Sequence, residues 1–136
     1  MKVRPATEAD LEAIARIQAA CPEASQWEPA EYLGYRCLVA EEGKLIQGFA
    51  VARETAPGES EVLNLAVVQS ARRKGVARAL LSDLIRPSSG SWFLEVRASN
   101  TAARKLYQGF GFQQVGERRD YYSEPLESAI VMRMFS

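Results

Sequence analysis

Apolar residues along this chain recur with two different spacings, and the switching between them lays out the secondary structure. Residues 2–5 read as a short strand. Thr7 opens a helix, with Asp10 three positions on in the manner of a capping box. Leu11, Ile14, Ala15 and Gln18 follow at helical spacing to about Ala20, and Pro22 blocks continuation. Residues 28–35 predict a second short helix with Pro29 in its first turn. Strands are expected over 36–41 and 45–53, joined by a Glu42-Gly43-Lys44 hairpin turn, with a further turn at 56–59 and a third long strand over 61–68. From about Arg73 to Ile85, the residues Val76, Ala77, Leu80, Leu81 and Leu84 line one face of an amphipathic helix, which Pro87-Ser88-Ser89-Gly90 ends. Residues 91–97 are apolar almost throughout, as in a strand buried on both faces. Asn100 opens another helix that stops near Gly109, and residues 112–116 and 129–135 are the last strands. No internal repeat or long linker breaks this order, so residues 1–136 are read as a single domain. Strands interleaved with helices predict an α/β or α+β fold with a largely mixed sheet.

Composition narrows the chemistry. The 136 residues are 47% hydrophobic and 25% charged, with 17 basic and 17 acidic side chains that cancel. A chain held to nucleic acid by phosphate contacts carries a basic excess, so direct nucleic-acid binding is not expected. No run of about 18 apolar residues is present to span a membrane, and the N-terminus lacks the apolar stretch of a signal peptide, which points to the cytoplasm. Two cysteines, Cys21 and Cys37, are too few for a disulfide framework or a four-thiolate metal site and read as small apolar fillers. Histidine is absent altogether. That excludes Ser-His-Asp and Cys-His catalysis and the common imidazole zinc sites, and leaves proton transfer to carboxylates, tyrosine, lysine, cysteine or water. No metal is implied.

The strand over 61–68, the run Arg72-Arg73-Lys74-Gly75-Val76-Ala77 and the helix after it form an arrangement suited to an anion. Backbone N–H groups at a helix start lack internal acceptors, and the positive end of the helix dipole lies there. Gly75 removes a side chain where a phosphate approaches, and Ala77 keeps the next turn narrow. Read alone, the three cations are a solvated basic turn. The P-loop pattern is absent, and Gly109-Phe110-Gly111 follows a helix, so it is read as a helix stop.

Glu95 interrupts the apolar run of residues 92–96. Strand alternation puts it on one face with Phe93 and Arg97, opposite Trp92, Leu94 and Val96. A carboxylate there is either ion-paired, with Arg97 the nearest candidate, or a general base whose affinity for protons rises with partial burial. Tyr107 shares its helix side with Ala103, Leu106 and Phe110. It is either a core aromatic or a general acid, since a phenol with a pKa of about 10 suits a departing alkyl thiolate.

These segments resemble a known family. Arg72-Arg73-Lys74-Gly75-Val76-Ala77 matches the [QR]-x-x-G-x-[GA] acetyl-CoA motif of the GNAT superfamily of N-acetyltransferases. Leu94-Glu95-Val96-Arg97-Ala98-Ser99-Asn100, followed by Ala103, Leu106-Tyr107 and Gly111-Phe112, is similar to the second signature of its RimI group, bacterial ribosomal-protein alanine N-acetyltransferases and their relatives. Asn64-Leu65-Ala66-Val67, Arg118-Arg119-Asp120-Tyr121-Tyr122 and Ala129-Ile130-Val131-Met132 resemble RimI segments in the same order, and Trp27 resembles the tryptophan of a Pro-Trp element.

The resemblance implies a GNAT fold: a mixed central sheet of about six to seven strands, splayed between two central strands and flanked by about four helices. It implies an N-acetyltransferase using acetyl-CoA as co-substrate. Leu65, Ala66 and Val67 would pair with the acetyl and pantetheine groups, Arg72 to Ala77 would donate to the pyrophosphate, and Asn100 would contact the pantetheine arm. Glu95 would be the general base and Tyr107 the general acid in a ternary complex where the amine attacks the thioester directly, an arrangement that supplies much of the acceleration. The implied acceptor is a protein N-terminal α-amine, with Trp27, Tyr121 and Tyr122 as candidate acceptor contacts; Tyr121 and Tyr122 read equally as a cross-strand aromatic pair. A small-molecule amine (polyamine, amino acid or aminoglycoside) is the alternative acceptor, and a catalytically weak acyl-CoA-binding regulatory domain the alternative class. A monomer or homodimer is expected. This chain departs from the family at Val68-Gln69 (often Asp-Pro), at Glu28-Pro29 after Trp27, at the short stretch 87–91 and at Ser128, where an acidic residue is usual.

Overall fold

The computed structural model describes residues 1–87, 89–123 and 126–135. It divides into two compact units, Met1–Arg53 with Val62–Ser88, and Glu54–Glu61 with Ser89–Ser136.

The first unit holds β1 (Lys2–Pro5), α1 (Leu11–Ala19), β2 (Arg36–Glu42), most of β3 (Leu45–Ala56), most of β4 (Glu59–Val67) and α2 (Val76–Ile85), with strands in the order β1-β2-β3-β4. β1 pairs antiparallel to β2 from Lys2↔Glu41 to Pro5↔Leu38, and β2 pairs antiparallel to β3 from Arg36↔Ala52 to Glu42↔Leu45. Residues Cys37 to Ala40 are buried without a break, because helices cover both faces. Ile14 and Ile17 of α1 join Cys37, Val39, Phe49, Val51 and Tyr32 in one core cluster, while α2, with Leu80, Leu81 and Leu84 inaccessible, packs on β1 and β2. The capping box forms at Thr7, where Asp10 accepts from the Thr7 N–H at 2.8 Å, but it opens a 3-10 turn (Glu8–Asp10) ahead of α1 rather than α1 itself. The buried Asp10 carboxylate also takes a two-pronged contact from Arg4 at 2.8 and 3.0 Å, which holds Asp10 below the usual carboxylate range.

Other boundaries shift as well, and β3 runs to Ala56 rather than Arg53. The segment expected as a helix over 28–35 is a 3-10 helix, Pro29–Gly34. β4 begins at Glu59 rather than Glu61. α2 begins at Val76 rather than near Arg73, because Arg73 (φ 65) and Gly75 (φ 80) adopt left-handed backbone that no α-helix accommodates.

In the second unit the first residues of β4 run parallel to β5 (Ser91–Arg97), from Glu59↔Ser91 to Glu61↔Phe93. β5 pairs antiparallel with β7 (Leu126–Phe135), and β7 with β6 (Gln113–Ser123), giving the order β4-β5-β7-β6. Parallel and antiparallel pairing thus coexist, as expected of a mixed sheet. α3 (Thr101–Phe110) ends on Gly111, whose φ of 122° confirms the helix stop. β5 is not buried on both faces: Trp92, Leu94 and Val96 are buried while Phe93, Glu95 and Arg97 are half-buried. β6 and β7 are both longer than the apolar spacing indicated, because residues 117–122 are charged or aromatic and the β6 ladder is irregular. One extra residue, Val115, lies between the pairs Gln114↔Met132 and Gly116↔Val131, and three residues, 119–121, stand opposite one between Arg118↔Ala129 and Tyr122↔Glu127. The turn expected at 87–90 includes Ser88, which lies outside the described residues. Among the described residues no helix is long and apolar enough to cross a membrane.

Candidate active site

β4 delivers the chain to the basic loop. After Val67 comes a 3-10 turn (Gln69–Ala71), then the left-handed residues Arg73 and Gly75, and α2 starts with Ala79 N–H bonded to Gly75 C=O at 3.0 Å. Gly75 is required by its φ of +80°, since a Cβ there would meet nothing within 4 Å. The N–H groups of the first helical turn have no carbonyl four residues back, so they face outward as donors. Arg73 and Lys74 are exposed beside them. Arg72 is engaged differently. Its guanidinium bonds Glu23 at 3.2 Å, Val67 C=O at 3.4 Å and the Cys21 sulfur at 3.4 Å, tying the loop to the end of α1. The loop fits a pyrophosphate through backbone donors, a helix N-terminus and two exposed cations.

Along β4, Ala66 and Val67 are buried and Leu65 is half-buried. The Leu65 N–H donates to the Asn64 side chain at 3.0 Å, and Val67 C=O also accepts from the Cys21 thiol at 3.7 Å. Ala66 C=O lies against Gly48, where an added Cβ would sit 2.8 Å from the oxygen. Trp27 is half-buried and packs against the α1-side core.

In the second unit Glu95 does not pair with Arg97. Arg97 instead bonds Glu127 at 3.1 Å and stacks over the Tyr122 ring at 4.2 Å. The partner of Glu95 is Arg118, whose Nη1 donates to Oε1 at 2.8 Å and whose guanidinium covers the Tyr121 ring at 4.1 Å. The Val115 bulge selects that partner. Without the extra residue the ladder would place Glu117, not Arg118, opposite Ala129 and on the Glu95 face. Glu95 Oε2 is buried and has no hydrogen-bond partner among the described residues. An unsatisfied carboxylate oxygen is costly and marks a place where a donor is wanted.

Tyr107 is buried, edge-on to Phe112 with ring centres 5.7 Å apart. Burial, with a smaller contribution from Tyr122, pushes its hydroxyl well above the ordinary phenol range, so it holds its proton more tightly than the phenol of about 10 expected of a general acid. Tyr122, half-buried, is pushed up to about 12 by burial and then by the Glu95 charge. Tyr121 and Tyr122 contact each other edge-on at 5.1 Å, but as neighbours in one strand at the 119–121 irregularity, where Asp120 has φ 50, rather than across two strands. Asn100 caps α3, its side chain accepting from Ala103 N–H at 3.2 Å.

Glu95, Asn100, Tyr107, Tyr121 and Tyr122 thus belong to the second unit, and Trp27, Leu65–Val67 and the 72–77 loop to the first. Sequence reasoning missed Arg118 as the partner of Glu95 and a buried amide, Asn64, in β4. The signal for Asn64 was present: it interrupts Val62-Leu63 and Leu65-Ala66-Val67 as Glu95 interrupts its own strand.

Residues 34–114 match the family model of the acetyltransferase (GNAT) domain. The chain belongs to the GNAT family. A [ribosomal protein bS18]-alanine N-acetyltransferase of Haemophilus ducreyi is 38% identical to this GNAT protein over 114 residues, covering 78% of this chain and 75% of the relative. The crystal structure of the ribosomal-protein-S18-alanine N-acetyltransferase from Escherichia coli superposes with a TM-score of 0.82 at 29% identity, over 98% of this chain and 92% of that one. The structure of yncA from Salmonella typhimurium with its cofactor acetyl-CoA shares the fold at a TM-score of 0.81 and 23% identity, over 99% and 93% of the two chains. The protein therefore has the GNAT fold and is an acetyltransferase of the RimI type, in a family that uses acetyl-CoA as acetyl donor.

Proposed function

We propose that this protein transfers the acetyl group of acetyl-CoA to the α-amine of a protein N-terminus, alanine first among the residues to be tested. The observation that carries the reading is the strand carboxylate Glu95, whose buried Oε2 has no hydrogen-bond partner among the described residues and so can take a proton from an acceptor ammonium. Glu95 accepts a proton from the acceptor ammonium, directly or through water, at Oε2, while Arg118 keeps Oε1. Tyr107 gives its proton to the departing thiolate of coenzyme A. In the first unit the α2 N-terminus with Arg73 and Lys74 receives the pyrophosphate, and backbone groups of Leu65 to Val67 receive the pantetheine arm; in the second, Asn100 is a proposed pantetheine contact.

The acceptor assignment draws its support from the relatives that act on bS18 alanine, and residues 1–136 are taken to work as one catalytic domain. Two buried free thiols accord with a reducing cytoplasm. The test is thiol release from acetyl-CoA over a panel of synthetic peptides and small amines. Turnover of a peptide with N-terminal alanine is expected; robust turnover of a small amine with no peptide acetylated overturns the acceptor choice.

A further inference from the structure

The segment between α1 and the 3-10 helix, residues 20–28, has almost no regular structure, so its shape must come from side chains. Gln26, whose Nε2 lies on the carbonyls of Gln18, Cys21 and Ala24, holds its first half, and three buried polar groups hold the part around Trp27. Gln18 is inaccessible apart from 5% of its surface and Asn64 apart from 5%, while Tyr32 is wholly buried. Gln18 Nε2 donates to Trp27 C=O at 2.6 Å. Asn64 Nδ2 has Ser25 C=O at 2.9 Å, Tyr32 Oη at 3.0 Å and Gln18 Oε1 at 3.2 Å within reach, so its two hydrogens are shared among three acceptors. The Tyr32 hydroxyl donates to the same Gln18 oxygen. On its other side Asn64 Oδ1 accepts from Leu65 N–H at 3.0 Å, so one amide joins the irregular segment to the backbone of β4.

Apolar residues of the same size would fill this space without the need to match donors and acceptors. A fully satisfied buried network instead confers a single arrangement on what it touches. Here it touches the carbonyls of Ser25 and Trp27, on either side of Gln26. We infer that Gln18, Tyr32 and Asn64 are positioning residues that fix the Trp27 segment for the amine acceptor. The inference rests on the proposed reading of Trp27 as an acceptor contact.

Gln18→Met conserves volume but removes the donor to Trp27 C=O, and Tyr32→Phe removes the donor to Gln18 while Asn64 still reaches that oxygen. Either variant is expected to raise the acceptor KM about five- to tenfold, the equivalent of one net hydrogen bond. Acetyl-CoA affinity should stay within about twofold, since the hydrogen bonds these two side chains make to β4 go to the Asn64 side chain and not to the strand backbone. Amide exchange over residues 23–28 should quicken in both. A role in stability alone would lower the folded fraction and kcat without separating the two substrates. The probes are a synthetic peptide with N-terminal alanine, acetyl-CoA, and Trp27→Ala as a control. An acceptor KM raised by Trp27→Ala but unmoved by Gln18→Met and Tyr32→Phe overturns the inference. An acceptor KM unmoved by Trp27→Ala overturns the reading of Trp27. If the peptide is not acetylated at all, the acceptor reading falls, and unchanged exchange over 23–28 then overturns the network as well.

Discussion

Gly48 in β3 lies under the carbonyl of Ala66 in β4, and replacing its hydrogen by a methyl group probes how tightly those strands are packed. The added Cβ would stand 2.8 Å from Ala66 O, 3.1 Å from Val67 Cγ2 and 3.2 Å from Leu80 Cδ1. The first contact is with backbone, which cannot rotate away, and it is shorter than a comfortable carbon–oxygen approach by several tenths of an ångström. All three neighbours belong to buried residues, so relief needs a shift of β4 itself. Overpacking of this kind costs about 1–3 kcal/mol. For a chain of 136 residues that corresponds to a fall of roughly 3–10 °C in the thermal midpoint. Gly109→Ala serves as the opposite control. It sits in α3 with nothing within 4 Å of an added Cβ, and should gain about 0.5–1 kcal/mol. The assay is thermal unfolding of the three proteins with and without acetyl-CoA. An unchanged midpoint for Gly48→Ala refutes the packing argument. A lowered midpoint with undiminished acetyl-CoA affinity leaves the packing intact but removes Ala66 from the proposed cofactor strand.

Further outcomes follow from the groups described above. Glu95→Gln should leave acetyl-CoA affinity nearly unchanged and lower turnover by about 10²–10⁴-fold near neutral pH; undiminished turnover removes Glu95 as the base. Tyr107→Phe should slow thiol release while the fold, monitored by near-UV circular dichroism, is retained, and a normal rate assigns Tyr107 to the core alone. Asp10 has its folded-state pKa lowered by the Arg4 hydrogen bonds, so its stabilisation is complete above the unfolded value of about 3.9 and is lost as pH falls through the folded one. Asp10→Asn should accordingly flatten the acid limb of a stability–pH curve, and an unaltered limb would contradict the assignment. The Cys37 thiol is pushed up to about 12 by burial, so iodoacetamide at pH 8 should leave it unmodified in the native protein and label it in denaturant, as read by mass spectrometry.

The order and type of elements were legible because hydrophobic spacing reports burial: β2, β5 and the bodies of α1 and α2, though not the starts of those helices, fall where their periods indicate. What escaped was set by contacts distant in sequence or by backbone geometry. The start of α2 depends on two left-handed residues, one of them the non-glycine Arg73, which no periodicity announces. The full length of β6 escaped because its exposed, charged residues carry no apolar alternation and its register slips twice. For the candidate site, the residue types were readable but their partners were not. Arg97 is two positions from Glu95 and on its face, yet Glu127 claims it from thirty residues away in β7, and Arg118 reaches Glu95 across β7 from β6. Nearness along the chain is a poor guide in a sheet whose third neighbour is a late strand. Asn64, by contrast, carried the same signal as Glu95, a polar side chain in a strand otherwise built from apolar ones.

The three residues opposite one in β6 bear on how this protein can vary in length. Two surplus residues preserve side-chain parity, so Arg118 before the excursion and Tyr122 after it face the same way, toward Glu95 and Arg97. Removal of one residue from 119–121 would leave two opposite Ser128, an ordinary bulge with a one-residue surplus like that at Val115, and Tyr122 would stay opposite Glu127 and over Arg97. Removal of a pair would shorten the strand and leave both alignments standing. Homologous chains should therefore tolerate one or two fewer residues here, so long as the pair Tyr122↔Glu127 is kept.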